Sequence, residues 1–319
     1  MTTTATSAPS SVPSGAQGTV GGPPAPGAGH GGTKPRPAAA MLLVLGSCTS
    51  VEIGAALAMR LFPVTGAPGA TLLRLGVAAA VLLGATRPRV RAWQASQWRA
   101  VVLYGISLAG TNGFFYAALA RLPLGTAVTI QFLGPLTLAA VLSRRGRDIG
   151  WVLLAVTGVL TLGLTASRGE TGHPLDTVGV ACALVSAAFW AMYIVTGARA
   201  STAVPGRGGL AVAMTVGALV LLPFGAYGAW HVAGQSGQSH LLLIALGTAV
   251  LGSVVPYTLE LAAMRRAPRR VFGILLSMEP AVATLAGWLL LSQRTGPIAI
   301  AAIGTVVLAS TGSVLGART

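Results

Sequence analysis

The chain has 319 residues, of which 53% are hydrophobic and only 8% charged, and its mean hydropathy is +0.75. Soluble domains carry about 25% charged residues, so this composition excludes a soluble globule and predicts an all-α membrane protein. The formal net charge of +15 does not call for nucleic acid as a partner, because the basic residues fall between apolar segments, where the positive-inside rule accounts for them.

Residues 1–37 are rich in Ser, Thr, Pro, Gly and Ala and lack the apolar core of a secretory signal, so they are predicted as a disordered cytoplasmic tail. Ten apolar segments follow, at 39–61, 68–86, 99–119, 123–143, 149–167, 177–197, 209–230, 241–263, 271–291 and 297–315. Each is long enough, at about 1.5 Å per residue, to cross roughly 30 Å of hydrocarbon. With the amino terminus in the cytoplasm, sixteen Lys and Arg residues fall inside and four outside: Arg60, Arg121, Arg168 and Arg294. That bias predicts a multi-pass protein with both termini cytoplasmic.

The chain also resembles itself. Pro123 and Pro135 are answered by Pro268 and Pro280, 145 positions later, and RLPLGTAVTIQFLGP by RAPRRVFGILLSMEP. Five spans per half is an odd number, so the second copy must enter the membrane from the opposite side. The expected fold is ten transmembrane helices in two inverted five-helix repeats, 38–168 and 176–316. Helices interrupted at corresponding places in such repeats are a pointer to a transport site. Pro135 and Pro280 are the expected breaks, freeing the carbonyls of Gln131 and Leu276.

Six acidic residues exist, and Glu52, Glu260 and Glu279 lie within predicted spans. A charge at the centre of a spanning helix costs about 3 kcal/mol, so each must be paired, protonated or facing water. Glu52 and Arg74 stand at similar depths, which suggests a buried ion pair, either a structural clamp or a substrate or proton site. Glu260, three residues after Tyr257, sits near Arg265 and Arg266, so it reads as an interfacial acid or a site residue. Glu279 has no basic neighbour in sequence and lies deeper; it is the leading functional candidate. Asn112 with Tyr116, and Trp190 with Tyr193, share helical faces and would line a cavity, or else pack or join the interfacial aromatic belt, which suits Tyr116 near a span end. Glycines within spans, among them Gly76, Gly84, Gly105, Gly110, Gly158, Gly163, Gly304 and Gly312, are expected at close helix contacts. Cys48 and Cys182 lie at different depths, and the four histidines show no ligand spacing, so neither a metal nor another cofactor is expected. No nucleotide-binding loop or hydrolase motif is present, which argues against an enzyme.

EIGAALAMRLFPVTGAPGATLLRL, YGISLAGTNGFFYAAL, FWAMYIVTGARA and PYTLELAAMRRAPRRVFGILLSMEPA, in that order, resemble the EamA-type drug/metabolite transporters, and within them the threonine/homoserine exporters. The likeness runs from about Pro37 to Gly316. It implies export of small amino acids across a bacterial plasma membrane, with protons as the expected coupling partner. Gln131 stands where many relatives carry an acid, Ser292 and Gln293 where they carry a Gly-Glu pair, and Glu52 where an amide is usual. The expected cavity lies among spans 1, 3, 4, 6, 8 and 9. Its alternatives are a broader exporter of amphipathic or aromatic compounds, suggested by Phe189 and Trp190, and a channel or membrane enzyme.

Overall fold

The computed structural model describes residues 37–143, 146–167, 175–204, 206, 208–233, 239–256, 258–259, 275–293 and 295–316. These are helices and short connections, with no strand among them. Among the described residues six helical stretches, with Leu124–Leu142 taken as one, are long and apolar enough to cross a membrane, and three shorter apolar ones, Ile149–Leu162, His240–Val254 and Glu279–Leu291, accompany them. The chain is a multi-pass helical membrane protein. The predicted tail up to residue 36, Tyr257, Glu260 and the arginines at 265–270 lie outside the described residues.

Helix α1 runs Pro37–Thr86, 50 residues, and as a straight rod would measure about 75 Å, more than twice the hydrocarbon thickness. It is not straight. Gly66 has φ 64° and ψ 168°, between Pro63 and Pro68, a conformation glycine adopts without the strain a side chain would bring. Ser50 and Arg74, which a straight helix would hold about 36 Å apart, bond to the adjacent residues Leu251 and Gly252 of a single helical turn. Helix α1 therefore folds back on itself at Gly66, and its limbs, 37–65 and 67–86, are the first two predicted spans.

After it come α2 (Ala95–Leu119), α3 (Leu124–Gln131), α4 (Leu133–Ser143), α5 (Gly146–Ser167), α6 (Thr177–Ala203), α7 (Gly208–Ala233) and α8 (Ser239–Ala249), the last continuing into a π turn at Val250–Val254; α9 (Glu279–Leu291) and α10 (Pro297–Gly316) complete the order. The fourth predicted span is thus two helices, parted at Phe132, where the Leu136 N–H reaches the Phe132 carbonyl only at 3.4 Å. The ninth differs from expectation in a similar way. The break falls three residues before Pro280: residues 275–276 are helical, Ser277 and Met278 form a turn, and Pro280 stands in the first turn of α9. Proline suits that position because the amide it lacks has no helical acceptor there.

The most extensive packing joins α1 to α7, α2 to α6 and α5 to α10. Small residues carry these contacts. A Cβ at Gly225 would lie 2.5 Å from the Pro68 carbonyl oxygen, and one at Gly105 2.6 Å from that of Ala213. At Gly54 it would be 2.6 Å from the Gly252 nitrogen, so two helix backbones touch directly. Gly110, Gly158 and Gly312 are likewise enclosed, whereas Gly76, Gly84 and Gly304 face nothing within 4 Å, contrary to expectation for those three.

The largest apolar cluster fills the end of the bundle that carries the Gly66 bend and includes Leu61, Phe115, Leu119, Leu124, Ile130 and Leu241. Polar contacts tie the same end. Arg60 reaches the Leu290 carbonyl at 3.5 Å, and Gln293 Oε1 accepts the Leu124 N–H at 2.9 Å, capping α3 from the α9–α10 connection. Asp176 caps α6, accepting the Gly179 N–H at 2.6 Å and pairing with Arg121 at 3.2 Å. The Gly179 N–H foremost, and the Arg121 guanidinium beside it, hold the Asp176 carboxyl below the usual aspartate range.

Replacing Gly225 by Val forces a side chain into the α1–α7 contact, where overpacking costs about 1–3 kcal/mol; a lower Tm in detergent is expected, while Gly76→Ala, facing open space, should not lower it. The Asp176 carboxylate is favoured by the fold, so its contribution is complete above about pH 4 and falls away as pH drops through its lower folded value. The Tm difference between wild type and Asp176→Ala is therefore expected at pH 6 and should shrink below about pH 4; a difference constant with pH would overturn the assignment.

Candidate functional site

A cavity of about 390 Å³ opens in the middle of the bundle. Its polar wall holds Glu52 and Arg74 from the two limbs of α1, Thr111 and Asn112 from α2, Gln131 at the end of α3 and Glu279 at the start of α9. Trp190 and Tyr193 of α6, Pro135 of α4, and Ser310 and Ser313 of α10 complete it. Because the Gly66 end is filled by apolar packing while the lining continues to Val314 in the last turns of α10, the cavity lies between mid-bundle and the opposite end.

The sequence-predicted site residues converge here, apart from Tyr257 and Glu260, which are not among the described residues, and Pro280, which is buried beside Glu279 and absent from the wall. Span 2 contributes through Arg74, already a candidate from the sequence, and span 10 contributes Ser310, Ser313 and Val314, which were not among the expected residues. Phe189 does not line the wall; it stacks on Phe114 at 5.8 Å and covers Gly110. Phe132 and Trp190 meet edge to face at 5.4 Å.

Arg74 is the anchor of the wall. It is buried, and its guanidinium donates from Nε to Ser253 Oγ at 3.2 Å, from Nη1 to the Tyr116 hydroxyl at 3.0 Å and from Nη2 to the Gly252 carbonyl. Ser253 and Gly252 belong to the π turn, where an added residue breaks the regular ladder and leaves backbone groups for other partners. Ser50 Oγ binds the neighbouring Leu251 carbonyl at 2.8 Å. Both limbs of α1 thus grip the same turn. Of the alternatives for Tyr116, cavity lining, packing or the interfacial belt, the structure takes packing: it is fully buried beneath Arg74, whose Cζ lies 5.5 Å from the ring centroid.

The expected Glu52–Arg74 ion pair is not formed: the guanidinium is committed to the π turn and to Tyr116, and the only ion pair within 4 Å between described residues that the structure gives is Arg121–Asp176. Glu52 is 1% exposed, and its Oε2 has no hydrogen-bond partner among the described residues. It is near enough to feel the charges of both Glu279 and Arg74. Glu279 occupies the first turn of α9, where the unpaired amides of a helix start favour a negative charge. Gln131 is held by a relay: its Nε2 donates to Ser186 Oγ at 2.7 Å, and that hydroxyl donates to the Thr111 carbonyl at 2.7 Å. The arrangement offers two carboxylates, one guanidinium and several neutral groups around a small-molecule-sized space. It can hold a compact solute bearing both charges, and no nucleophile paired with a base is found among its described wall residues.

A family model described as the EamA-like transporter family matches residues 177–315. The threonine/homoserine exporter RhtA of Escherichia coli (strain K12) is 39% identical over 282 residues, covering 87% of this chain and 92% of that protein. The protein of the same name from Salmonella typhimurium (strain LT2) is also 39% identical over 282 residues. A solved crystal structure superposes with a TM-score of 0.57 at 19% identity, covering 88% of this chain and 99% of that one, a likeness of fold.

Arg74→Lys keeps the charge but cannot reproduce three bonds in a planar fork. Each lost buried, charge-assisted bond is worth about 1.5–3 kcal/mol, so a Tm lowered by several degrees is expected in detergent. A Tm unchanged from wild type would show that the clamp on the π turn carries little.

Proposed function

The chain belongs to the EamA-like transporter family, and from that membership and its cavity we propose that it is a secondary exporter of small hydroxylated amino acids of the threonine and homoserine type. The observation that carries the reading is the cavity wall itself, with carboxylates and a guanidinium facing one space of about 390 Å³, within the range of small-ligand sites. An amino acid presents an ammonium and a carboxylate a few ångströms apart. Its ammonium is drawn to Glu52 and Glu279. Its carboxylate is drawn to Arg74, whose five N–H donors exceed the three bonds that it makes within the protein.

Alternating access is supported by the two interrupted helices. The breaks at Phe132 and at Ser277 stand 145 residues apart, the period of the internal repeat, and interrupted helices at matching places line the sites of inverted-repeat transporters. The ten-span, two-repeat topology with both termini in the cytoplasm follows from the same period and from the distribution of Lys and Arg. In that orientation the Gly66 end faces outward, and the cavity is poised toward the cytoplasm, ready to load.

Proton coupling rests on the two acids. Glu52 and Glu279 line the same cavity, and either an ammonium or a proton can neutralise a carboxylate there, so the two ligands compete. Substrate leaves outward and a proton takes its place for the return. The aromatic side chains of Trp190, Phe115 and Phe132 in the wall favour, as a second reading, export of larger amphipathic or aromatic compounds. Competition of such compounds against labelled threonine separates the two.

In proteoliposomes of checked orientation, saturable threonine or homoserine efflux that responds to an imposed proton gradient is expected. Glu279→Gln should lower the gradient-driven rate at least about tenfold, the scale of losing one positioned acid–base group or more, while the variant remains folded and membrane-inserted. Wild-type rates in that variant would sink the coupling assignment.

A further inference from the structure

We propose that the side-chain oxygens of Asn112 and Gln131 form, with one cavity carboxylate, the seat for a primary ammonium, and that Ser186 positions it; this rests on the amino-acid export reading above. An amide side chain can present either its oxygen or its nitrogen, and its hydrogen-bond partners decide which. Here both are decided. Asn112 Nδ2 donates to the Leu108 carbonyl at 2.8 Å, and a carbonyl only accepts, so Oδ1 is the end left free. Ser186 has one hydroxyl proton and gives it to the Thr111 carbonyl at 2.7 Å, so from residue 131 it can only accept. The group 2.7 Å from it is therefore the Gln131 nitrogen, and Oε1 is the free end.

Both oxygens reach the cavity. Neither makes a hydrogen bond to the described residues, and neither is one of the buried polar atoms without a partner, so each is open to water. On α2 the exposed Leu103, Ile106 and Phe114 mark one face, and at about 100° per residue Asn112 stands on the opposite one. Helix α3 is buried from Leu124 to Gln131. The open space beside both residues is thus the central cavity, whose wall they share. They belong to one short stretch of it, because Gln131 is joined through Ser186 to Thr111, the neighbour of Asn112 in the chain. Amide oxygens accept and cannot donate. A hydroxyl would be served by either kind of partner, whereas a primary ammonium only donates and has three N–H groups to satisfy. Two amide oxygens and one carboxylate supply three acceptors, and Glu279, half-buried in the same wall, offers the carboxylate. The seat therefore requires an unsubstituted amine.

Threonine and N-methylthreonine are the test pair, since the methyl group removes one N–H and keeps the charge. Binding to the purified full chain in detergent is read by displacement of labelled threonine. Wild type is expected to prefer threonine by at least about tenfold, the scale of one charge-assisted hydrogen bond. In Asn112→Leu and in Gln131→Leu threonine binds at least about tenfold more weakly, and the preference falls toward one, because two acceptors remain and two N–H groups satisfy them. Ser186→Ala keeps both amides but frees Gln131 to turn, and its preference is expected to fall as well. A substitution that only loosens the fold weakens both ligands alike and leaves the preference where it was. A wild-type preference in any of the three folded variants would overturn the assignment, as would wild-type protein that binds the two ligands equally. If a Leu variant does not fold, or binds neither ligand, Ser186→Ala is the deciding variant. Wild-type protein that shows the preference yet moves no threonine or homoserine in proteoliposomes would overturn the export reading and leave the seat; one that neither binds nor moves them would overturn both.

Discussion

A guanidinium held away from water must have every bond it can find, and the position of Arg74 organises the middle of this bundle for that reason. A charge at such a depth is costly unless it is hydrogen-bonded. The side chain meets that demand on the π turn after α8 and on Tyr116 of α2. Those bonds bring three elements to one point and leave the cavity beside it. The hairpin at Gly66 is a precondition, since only a folded-back α1 can deliver Ser50 and Arg74 to adjacent residues of the same turn.

Much of this was legible in the residues. Among the described residues, apolar length and basic punctuation placed most helix ends within a few residues, because hydrocarbon thickness constrains length and charge constrains the ends. The cavity residues stood out as polar or ionisable groups where lipid tolerates none. What escaped was pairing. Arg74 and Glu52 were natural partners by charge and depth, yet the π turn took the arginine, and a π turn leaves no mark in a run such as VLGSV. Tyr116 looked like a belt residue from its place near a helix end, but its partner lies 42 positions away in the chain. Ser186 gave no signal at all, since a serine in an apolar helix is ordinarily satisfied by its own backbone.

Local chemistry and overall architecture agree at the interrupted helices. Glycine and proline at Gly134–Pro135 end one hydrogen-bonded ladder and permit another to begin, and Gly134 also admits the Ala187 backbone, which a Cβ would displace. Before α9 the chain turns at Ser277 and Met278, and Glu279 then finds itself at a helix start, where its charge is welcome. An acid that looked expensive in the sequence has a local reason to be tolerated.

The contact between Gly54 and Gly252 has one more consequence. Helices that interlock through side chains behave as gears: to slip, each knob must climb out of its hole. Here backbone meets backbone with no side chain between. At that point the first limb of α1 and the π turn are separated by nothing but backbone, so what fixes their register is the pair of serine bonds beside it, Ser50 to the Leu251 carbonyl and Ser47 to the Pro256 carbonyl, rather than interlocked side chains.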